Sequence, residues 1–174
     1  PYHFENYQKA VETVLPLMKN SLIMAAGTMV LSVLFATLAG YAFGKLVFPL
    51  QNLLFGIIFA KMMLPGVMNL IPSFTLAMQM GILDTYLPVI LFGTGTNMAY
   101  WVFVMTTFVQ GQPRELFESM RLDGANEPRI YWHLALPLLR PMISLMGMKV
   151  FLGVWNDYVW PLGTISTPEK RPIT

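Results

Sequence analysis

Charged residues divide this chain into long apolar stretches and one polar segment. Residues 20–44 carry no ionised side chain, and neither do residues 85–113. An α-helix needs about 20 mainly apolar residues to cross the hydrocarbon core of a bilayer, so each stretch is long enough to span it. The pattern therefore predicts an all-α, polytopic membrane protein.

Four spanning helices can be drawn on this pattern. We expect the first over residues 20–43, the second over 52–71, the third over 86–109 and the fourth over 141–158. Pro65 should interrupt the second helix, because proline lacks the N–H that a helix interior uses, and Pro72 should end it. The first helix has small residues of the kind that allow close helix packing in lipid: Gly27, Ala36, Gly40 and Ala42.

Composition agrees with a membrane protein and excludes several functions. Hydrophobic residues make up 55% of the chain and charged residues 11%, with mean hydropathy +0.56, whereas soluble domains carry about 25% charged residues. A formal net charge of +2 is too small to indicate a nucleic-acid surface. The chain has no cysteine, its nine acids are scattered and its two histidines lie far apart. The sequence thus offers no catalytic, metal-binding or cofactor-binding cluster.

The polar segment, residues 110–140, reads as two short amphipathic helices joined by a sharp turn. Pro113 should open the first helix, and Gly124 should end it, because glycine tolerates the left-handed conformation that terminates helices. Asn126 is a plausible N-cap for the second helix. Each helix has apolar residues at helical spacing, Leu116, Phe117 and Met120 in the first and Ile130, Leu134 and Leu138 in the second. We expect this segment to lie outside the membrane.

The spacing within the segment resembles the cytoplasmic EAA loop of permeases from ATP-binding-cassette importers. That pattern is Glu-Ala-Ala, three residues, Gly, nine residues, Ile, one residue, and Leu-Pro. The residues at the matching intervals are Glu118-Ser119-Met120, Gly124, Leu134 and Leu136-Pro137. Ser119-Met120 replaces the alanine pair and Leu134 replaces isoleucine, and Met120 adds bulk where close docking is expected.

A wider resemblance, to maltose-type carbohydrate permeases, covers nearly the whole chain. Stretches similar to that subfamily begin at Asn20, Ala39, Met63, Arg121 and Phe151. Such permeases typically have six spanning helices. The resemblance therefore implies one transmembrane permease domain over residues 1–174 that lacks the first and last helices, with the loop at 110–140 inside it. The implied function is the permease subunit of an ATP-driven importer of sugars or oligosaccharides in a bacterial cytoplasmic (inner) membrane.

The resemblance also implies how the loop acts and which partners it needs. In the family the loop docks into a cleft of a cytoplasmic ATPase subunit, with the residue at Glu118 in polar contact. The residues implied in ATPase coupling are Glu118, Ser119, Met120, Asp123, Gly124, Ala125, Leu134, Leu136 and Pro137. The sequence has no glycine-rich phosphate-binding loop, so ATP would be bound by the ATPase and this chain would be neither an enzyme nor a cofactor carrier. Other implied partners are a second permease subunit, an extracytoplasmic solute-binding protein and the lipid bilayer, but no nucleic acid.

Polar residues in or beside the spans are candidates for the translocation path: Lys61, Lys149, Asn156 and Asp157. A lysine near the bilayer centre costs about 2.5–3.5 kcal/mol, so it normally faces a partner or a wet cavity. The alternatives stay open. Lys61 could snorkel or pair structurally, Lys149 could contact the second permease, and Asn156-Asp157 could cap the fourth helix instead of binding a sugar.

Helix parity and the EAA resemblance together predict the orientation. The connection after the first helix and the polar segment lie on one side, so Lys45 and Arg121 are expected in the cytoplasm and Asp84 and Lys170 in the periplasm. Cation counts favour this by only five to four: Lys45, Arg114, Arg121, Arg129 and Arg140 against Lys9, Lys19, Lys170 and Arg171.

Other interpretations compete with a sugar permease. The chain could be a permease of the same superfamily for another solute, such as a polyamine or phosphate. An integral membrane enzyme would need clustered His, Asp or Glu, and a passive channel would have no use for EAA spacing. Glu118 could also be a solvated residue paired with Arg114 or Arg121.

Overall fold

The computed structural model describes residues 4–173, and no strand occurs within that range. The helices in order are α1 (Phe4–Lys45), α2 (Gln51–Met62), α3 (Leu70–Gln79), α4 (Leu87–Thr96), α5 (Met98–Gln110), α6 (Arg114–Leu122), α7 (Glu127–Ile130), α8 (Leu136–Leu138), α9 (Arg140–Trp155) and α10 (Val159–Thr164). A 3-10 turn, Gly66–Asn69, precedes α3, and a π-helical turn, Tyr131–Ala135, joins α7 to α8. The all-α class predicted from the sequence is confirmed.

Helix α1 extends well beyond the apolar stretch from which it was predicted. It runs without a break for 42 residues, so the predicted start at residue 20 was wrong. Lys19 ends the uncharged stretch and Glu12 lies beyond it, but a helical backbone does not require apolar side chains, and Pro16 is accommodated within the helix. The apolar pattern located the part of α1 suited to lipid and missed its extension.

The second predicted span is interrupted where the sequence indicated. Helix α2 ends before Pro65, and the 66–79 segment turns away from it by 101°. The predicted end at Pro72 was wrong, because α3 continues to Gln79. Pro72 lies in the first turn of α3, where backbone N–H groups have no intrahelical acceptor, so its missing N–H costs nothing there.

The third predicted span is also two helices rather than one. Helices α4 and α5 meet at Asn97 and differ in direction by 50°. The hydroxyls of Thr94 and Thr96 donate to the carbonyls of Ile90 (2.7 Å) and Phe92 (2.8 Å) one turn earlier. Such back-bonding slightly weakens a helix, and here it lies directly before a break that hydropathy does not register.

Within residues 4–173, α1 is the one helix that is long and apolar enough to cross a membrane by itself. Three bent pairs meet the same test when both members are counted together: α2 with 66–79, α4 with α5, and 127–138 with α9, the last pair bent by 74°. Counted in this way the described chain has up to four spans, the number predicted from the sequence.

Small residues bring α1 into close contact with α5. Ala36, Gly40 and Gly44 recur every fourth residue and therefore share one face of α1. A Cβ atom added at Gly40 would lie 3.0 Å from the backbone carbonyl carbon of Met105 and 3.2 Å from the backbone nitrogen of Thr106. Backbones this close are the usual consequence of small residues in helix packing within lipid.

Two buried clusters hold the helices together. The larger one joins α1, α5 and α9 to the segment after Phe117, and it includes Tyr41, Met105 and Met146. The smaller one, Met24, Val89 and Ile165, lies toward the other end of α1. The polar segment is thus packed into the same core as the spanning helices.

Leu50, at the start of α2, adopts a strained backbone conformation. Its φ angle is 62°, in the left-handed region that costs residues with a Cβ about 1–2 kcal/mol. Its side chain is 69% exposed, so little packing would be lost on its removal. We expect Leu50→Gly to stabilise the full-length protein by about 0.5–1 kcal/mol, measured by thermal unfolding in detergent. The matched control, Leu53→Gly within α2, should destabilise it by about 1 kcal/mol, and equal effects at both positions would contradict the argument.

Candidate coupling and translocation sites

The two short helices of the polar segment are joined by a glycine turn. Helix α6 ends in a pair of backbone hydrogen bonds, from the Gly124 N–H to the Arg121 carbonyl (3.0 Å) and from the Ala125 N–H to the Met120 carbonyl (3.0 Å). This is the Schellman arrangement, and it places its glycine in the left-handed region. The φ angle of Gly124 is 80°, as the sequence predicted. The Asn126 side chain accepts the Arg129 N–H at 3.1 Å, so the predicted N-cap is confirmed as well.

An aromatic cluster fastens α6 to the end of α1. The Phe117 side chain is 1% exposed, and its ring stacks on that of Tyr41 at a centroid distance of 6.3 Å. Tyr41 also packs against Tyr131, and the Tyr131 hydroxyl lies 2.9 Å from the Thr37 hydroxyl. The ammonium group of Lys45 lies 4.6 Å from the centre of the Phe117 ring and donates to the Gln112 carbonyl at 2.8 Å.

A polar contact adds to this cluster, and the sequence gave no indication of it. The Glu127 carboxylate accepts a hydrogen bond from the Tyr41 hydroxyl and another from Arg121 Nε, the latter at 2.9 Å. Glu127 thereby ties together α1, α6 and α7. The Arg121 and Glu127 side chains are 37% and 42% exposed, so their ion pair alone contributes about 0–1 kcal/mol. Its main effect is to fix the angle at which α6 leaves the membrane-spanning core.

The residues predicted for ATPase coupling divide into an exposed group and a packed group. The exposed residues are Glu118, Ser119, Asp123 and Gly124. The half-buried residues are Met120, Ala125, Leu134, Leu136 and Pro137, and all of these except Pro137 pack against the large cluster. Arg121 pairs with Glu127 and not with Glu118, and Glu118 has no ion pair within the described part of the chain. The segment therefore has one fastened face and one free face.

Gly124 provides a first test of this segment. A Cβ atom at Gly124 would meet no atom within 4 Å, so only the backbone conformation opposes a side chain there. We expect Gly124→Val to lower the stability of the full-length protein by about 1–2 kcal/mol, because valine resists a positive φ angle. Gly124→Asn should lose less stability, since asparagine tolerates this region. Equal unfolding temperatures of the two variants in detergent would show that the turn conformation is unimportant.

The lysines predicted for the translocation path occupy different places. Lys149 lines a cavity of about 360 Å³ together with Asp157 and Trp160, and α4 and α5 form its other wall. The ring of Trp160 stacks on Phe92 at 5.5 Å. Lys61 is not among the residues that line this cavity, and its ammonium group donates to the Gly95 carbonyl at 3.1 Å.

Asn156 and Asp157 mark the end of the fourth predicted span. Helix α9 ends at Trp155 and not at residue 158. The Asn156 amide donates to the Leu152 carbonyl at 2.7 Å, and an Asp157 carboxylate oxygen accepts the N–H groups of Val159 (3.0 Å) and Trp160 (3.3 Å). These bonds satisfy a carbonyl in the last turn of α9 and two N–H groups in the first turn of α10. The chain therefore forms two helices here, and the predicted single helix ending at residue 158 was wrong.

A network of hydrogen bonds around Asp84 lies at the end of the helix bundle that is opposite to α6. Its carboxylate accepts the N–H groups of Ser166 (3.0 Å) and Thr167 (2.8 Å), the Thr167 hydroxyl (2.6 Å) and the Lys170 ammonium (3.0 Å). The hydrogen bonds from Thr167 and Lys170 hold the pKa of Asp84 well below its ordinary range. Because the pKa is lowered in the folded protein, this stabilisation is present at neutral pH and is lost only in strong acid. Asp84 and Lys170 therefore lie on the same side, as helix parity predicted.

The architecture is shared with a solved membrane transporter. The chain resembles a crystal structure of a bacterial ABC transporter involved in the import of the acidic polysaccharide alginate. The superposition covers 92% of this chain and 56% of the transporter chain. The TM-score is 0.84 at 22% sequence identity, so the comparison shows a shared fold.

Sequence comparison identifies the family. The family model described as binding-protein-dependent transport system inner membrane component matches residues 32–173, and the chain belongs to this family of membrane proteins. It is 33% identical over 147 residues to the sn-glycerol-3-phosphate transport system permease protein of Yersinia pestis, covering 82% of this chain and 50% of that protein. It is 31% identical over 150 residues to the arabinooligosaccharides transport system permease protein of Bacillus subtilis, covering 86% and 53%. The chain spans about half the length of the curated relatives it matches.

Proposed function

We propose that this chain is part of the permease subunit of an ATP-driven, binding-protein-dependent importer for sugars or oligosaccharides. The observation that carries the proposal is the polar segment, which has one face packed on the spanning core and the other face free. Tyr41, Phe117 and Glu127 fasten it to α1, while Glu118 remains exposed. A segment of this kind can transmit the movement of a docked ATPase to the helices. The coupling residues given above are assigned this role.

The partners follow from the same proposal. Cytoplasmic ATPase subunits would bind the exposed face of α6, a second permease would complete the pathway, and an extracytoplasmic binding protein would deliver the solute. The membrane is the bacterial inner membrane, with α6 in the cytoplasm and the Asp84 network in the periplasm. Membership in a family of inner membrane transport components supports this arrangement.

The solute would pass the cavity that contains Lys149 and Asp157. Its aromatic and polar lining, which includes Tyr100, Trp101 and Trp160, offers ring faces and hydrogen-bonding groups of the kind that suit sugars. Neither Asn156 nor Lys61 is among the residues that line this cavity, so we assign Lys149 and Asp157 the more direct role. The presence of Lys149 favours, as a second candidate, an anionic solute such as a polyol phosphate, and one relative carries the name of a glycerol-phosphate transport protein.

Reconstitution tests the proposed function. The full-length permease would be placed in liposomes with the ATPase, the second permease and the binding protein encoded beside it, and uptake of arabino-oligosaccharides, maltodextrins and glycerol 3-phosphate would be compared. We expect uptake of a carbohydrate that requires both ATP and the binding protein. Uptake of glycerol 3-phosphate alone would favour the second candidate, and uptake without ATP would contradict the importer.

Single-cysteine labelling tests the orientation, helped by the absence of native cysteine. In intact cells, a membrane-impermeant maleimide should label cysteine placed at Glu169 and should not label cysteine placed at Arg129. Both positions are exposed in the structure, so burial does not explain a difference between them. Labelling of position 129 from outside would reverse the assigned topology.

A further inference from the structure

Two of the bent spans touch each other at their breaks. Helix α2 ends at Met62 and the next turn begins at Gly66, while α4 and α5 meet at Asn97. A Cβ atom added at Gly66 would lie 3.7 Å from the Cγ2 atom of Thr96, which is an ordinary van der Waals distance. The break in one span therefore packs against the break in the other, although the two are distant in the sequence.

Lys61 makes a hydrogen bond between these two breaks. It is the second-last residue of α2, and its ammonium group donates to the Gly95 carbonyl at 3.1 Å. Gly95 lies in the last turn of α4, where carbonyl groups need donors from outside the regular helical pattern. The Asn97 N–H supplies one donor to Gly95, and Lys61 supplies another. The same carbonyls form the negative end of the α4 dipole, which favours a cation beside them.

The Gly95 carbonyl is the polar partner that the structure gives to Lys61. Neither ion pair in the described part of the chain includes Lys61. This lysine belongs to the bent pair of α2 with 66–79, and a lysine inside a span normally faces a polar partner or a wet cavity. Lys61 does not line the cavity that contains Lys149. Its ammonium group is therefore committed to the break between α4 and α5.

The break that Lys61 contacts also forms one wall of the cavity proposed for the solute. Thr96, Asn97 and Tyr100 line this cavity together with Lys149. Thr96 ends α4 and Tyr100 lies in the first turn of α5, on the two sides of a 50° change of direction. A change in that angle moves Tyr100 relative to Thr96 and alters the shape of the cavity.

We propose that Lys61 is a positioning residue for the solute cavity, because its bond to Gly95 fixes the bend between α4 and α5. Lys61 acts from outside the cavity and does not touch the solute. Without the bond the observed bend is populated less, and the apparent affinity of the cavity for its solute falls by the same factor. The effect on transport rests on the proposed function, whereas the effect on the bend does not.

Electron paramagnetic resonance measures the bend directly. Spin labels on Leu91→Cys in α4 and Thr107→Cys in α5, two exposed positions, report the distance between these helices in the full-length transporter complex in detergent. Lys61→Met removes the ammonium group and keeps an unbranched side chain. We expect it to lower the population of the observed bend, relative to other arrangements, about ten-fold, because hydrogen bonds to charged groups typically contribute this much. A second distance should therefore appear in Lys61→Met.

Further variants separate the hydrogen bond from other effects of substitution. Lys61→Arg keeps a cationic donor and should restore the single distance, while Lys61→Gln lacks the charge and should resemble Lys61→Met. The control Lys19→Met removes an exposed lysine of α1 that takes part in neither ion pair of the described residues, and it should leave the distance unchanged. The Lys61 side chain is exposed, so its replacement removes little packing, and the amount of subunit in the membrane confirms folding.

Uptake is measured with the same variants in liposomes, as solute transported per ATP hydrolysed. The solutes are arabino-oligosaccharides, maltodextrins and glycerol 3-phosphate, each below saturation. We expect Lys61→Met to lower the ratio by up to about ten-fold, in proportion to the population of the bend, and Lys61→Arg to recover it. A merely structural role would lower the amount of transporter and leave solute transported per ATP unchanged.

Several results would overturn the proposal. An unchanged distance in both Lys61→Met and Lys61→Gln, an equal change in Lys19→Met, or a change that Lys61→Arg does not reverse would contradict the positioning role. A changed bend with an unchanged ratio of solute to ATP would contradict its link to the cavity. If the unsubstituted transporter takes up none of the solutes, the proposed function fails, and the distance measurement still decides the role of Lys61.

Discussion

Replacing Glu118 with lysine is expected to abolish solute uptake by the full-length permease while leaving the subunit in the membrane. Glu118 is exposed on α6 and has no ion pair within the described residues, so its carboxylate contributes little to the stability of this chain. In the proposed mechanism it faces a cationic group of the ATPase. Lysine there would place like charges in a partly desolvated contact, which costs several kcal/mol.

The matched control for this prediction is Glu115→Lys. Glu115 is also exposed and lies on the same helix, in its first turn, so both variants change the charge of α6 equally. We expect Glu115→Lys to retain most uptake and to co-purify with the ATPase, whereas Glu118→Lys should lose both. If Glu118→Lys transported normally and its stability changed by no more than about 0.5 kcal/mol, we would conclude that Glu118 is an ordinary surface residue.

The exposed face of α6 depends on contacts that local sequence patterns do not reveal. Pro113, Gly124 and Asn126 predicted a helix, a turn and a second helix, because caps and glycine turns are set by neighbouring residues. The bond between Tyr41 and Glu127 joins residues 86 positions apart. The sequence around each residue gives no sign of this bond, because Tyr41 lies in an apolar predicted span and Glu127 is a typical acidic residue of a first helical turn. Only the folded arrangement shows that they meet.

The spanning helices also show which features of the fold follow from local sequence and which depend on the folded backbone. Hydropathy placed four apolar regions because a bilayer selects strongly for length and composition. It did not show the break at Asn97 or the continuation of α3 past Pro72, because hydropathy is insensitive to how the backbone hydrogen bonds are distributed. Proline was informative at position 65 and misleading at 72, and the difference lies in whether the missing N–H falls in a first turn.

The contact between α1 and α5 is the feature most sensitive to a single substitution. Gly40 lies against the backbone of Met105 and Thr106, so even a methyl group would require the two helices to separate. We expect Gly40→Val to destabilise the full-length subunit by roughly 3 kcal/mol, at the upper end of the usual cost of overpacking. This is a large part of the 5–15 kcal/mol that typically separates folded from unfolded states. The measurement is thermal unfolding in detergent, together with the amount of subunit in the membrane.

Gly56 supplies the control, because it lies within α2 and a Cβ atom there would meet nothing within 4 Å. Gly56→Val should change stability by no more than about 0.5 kcal/mol, since glycine and valine differ little in helix propensity. If both variants unfolded at the same temperature, close packing at Gly40 would not determine stability. A loss confined to Gly40→Val would show that the α1–α5 contact holds the bundle to which α6 is fastened. Because Tyr41 follows Gly40 directly and bonds to Glu127, the same variant should also displace α6, and uptake should be lost even in the fraction of subunit that remains folded.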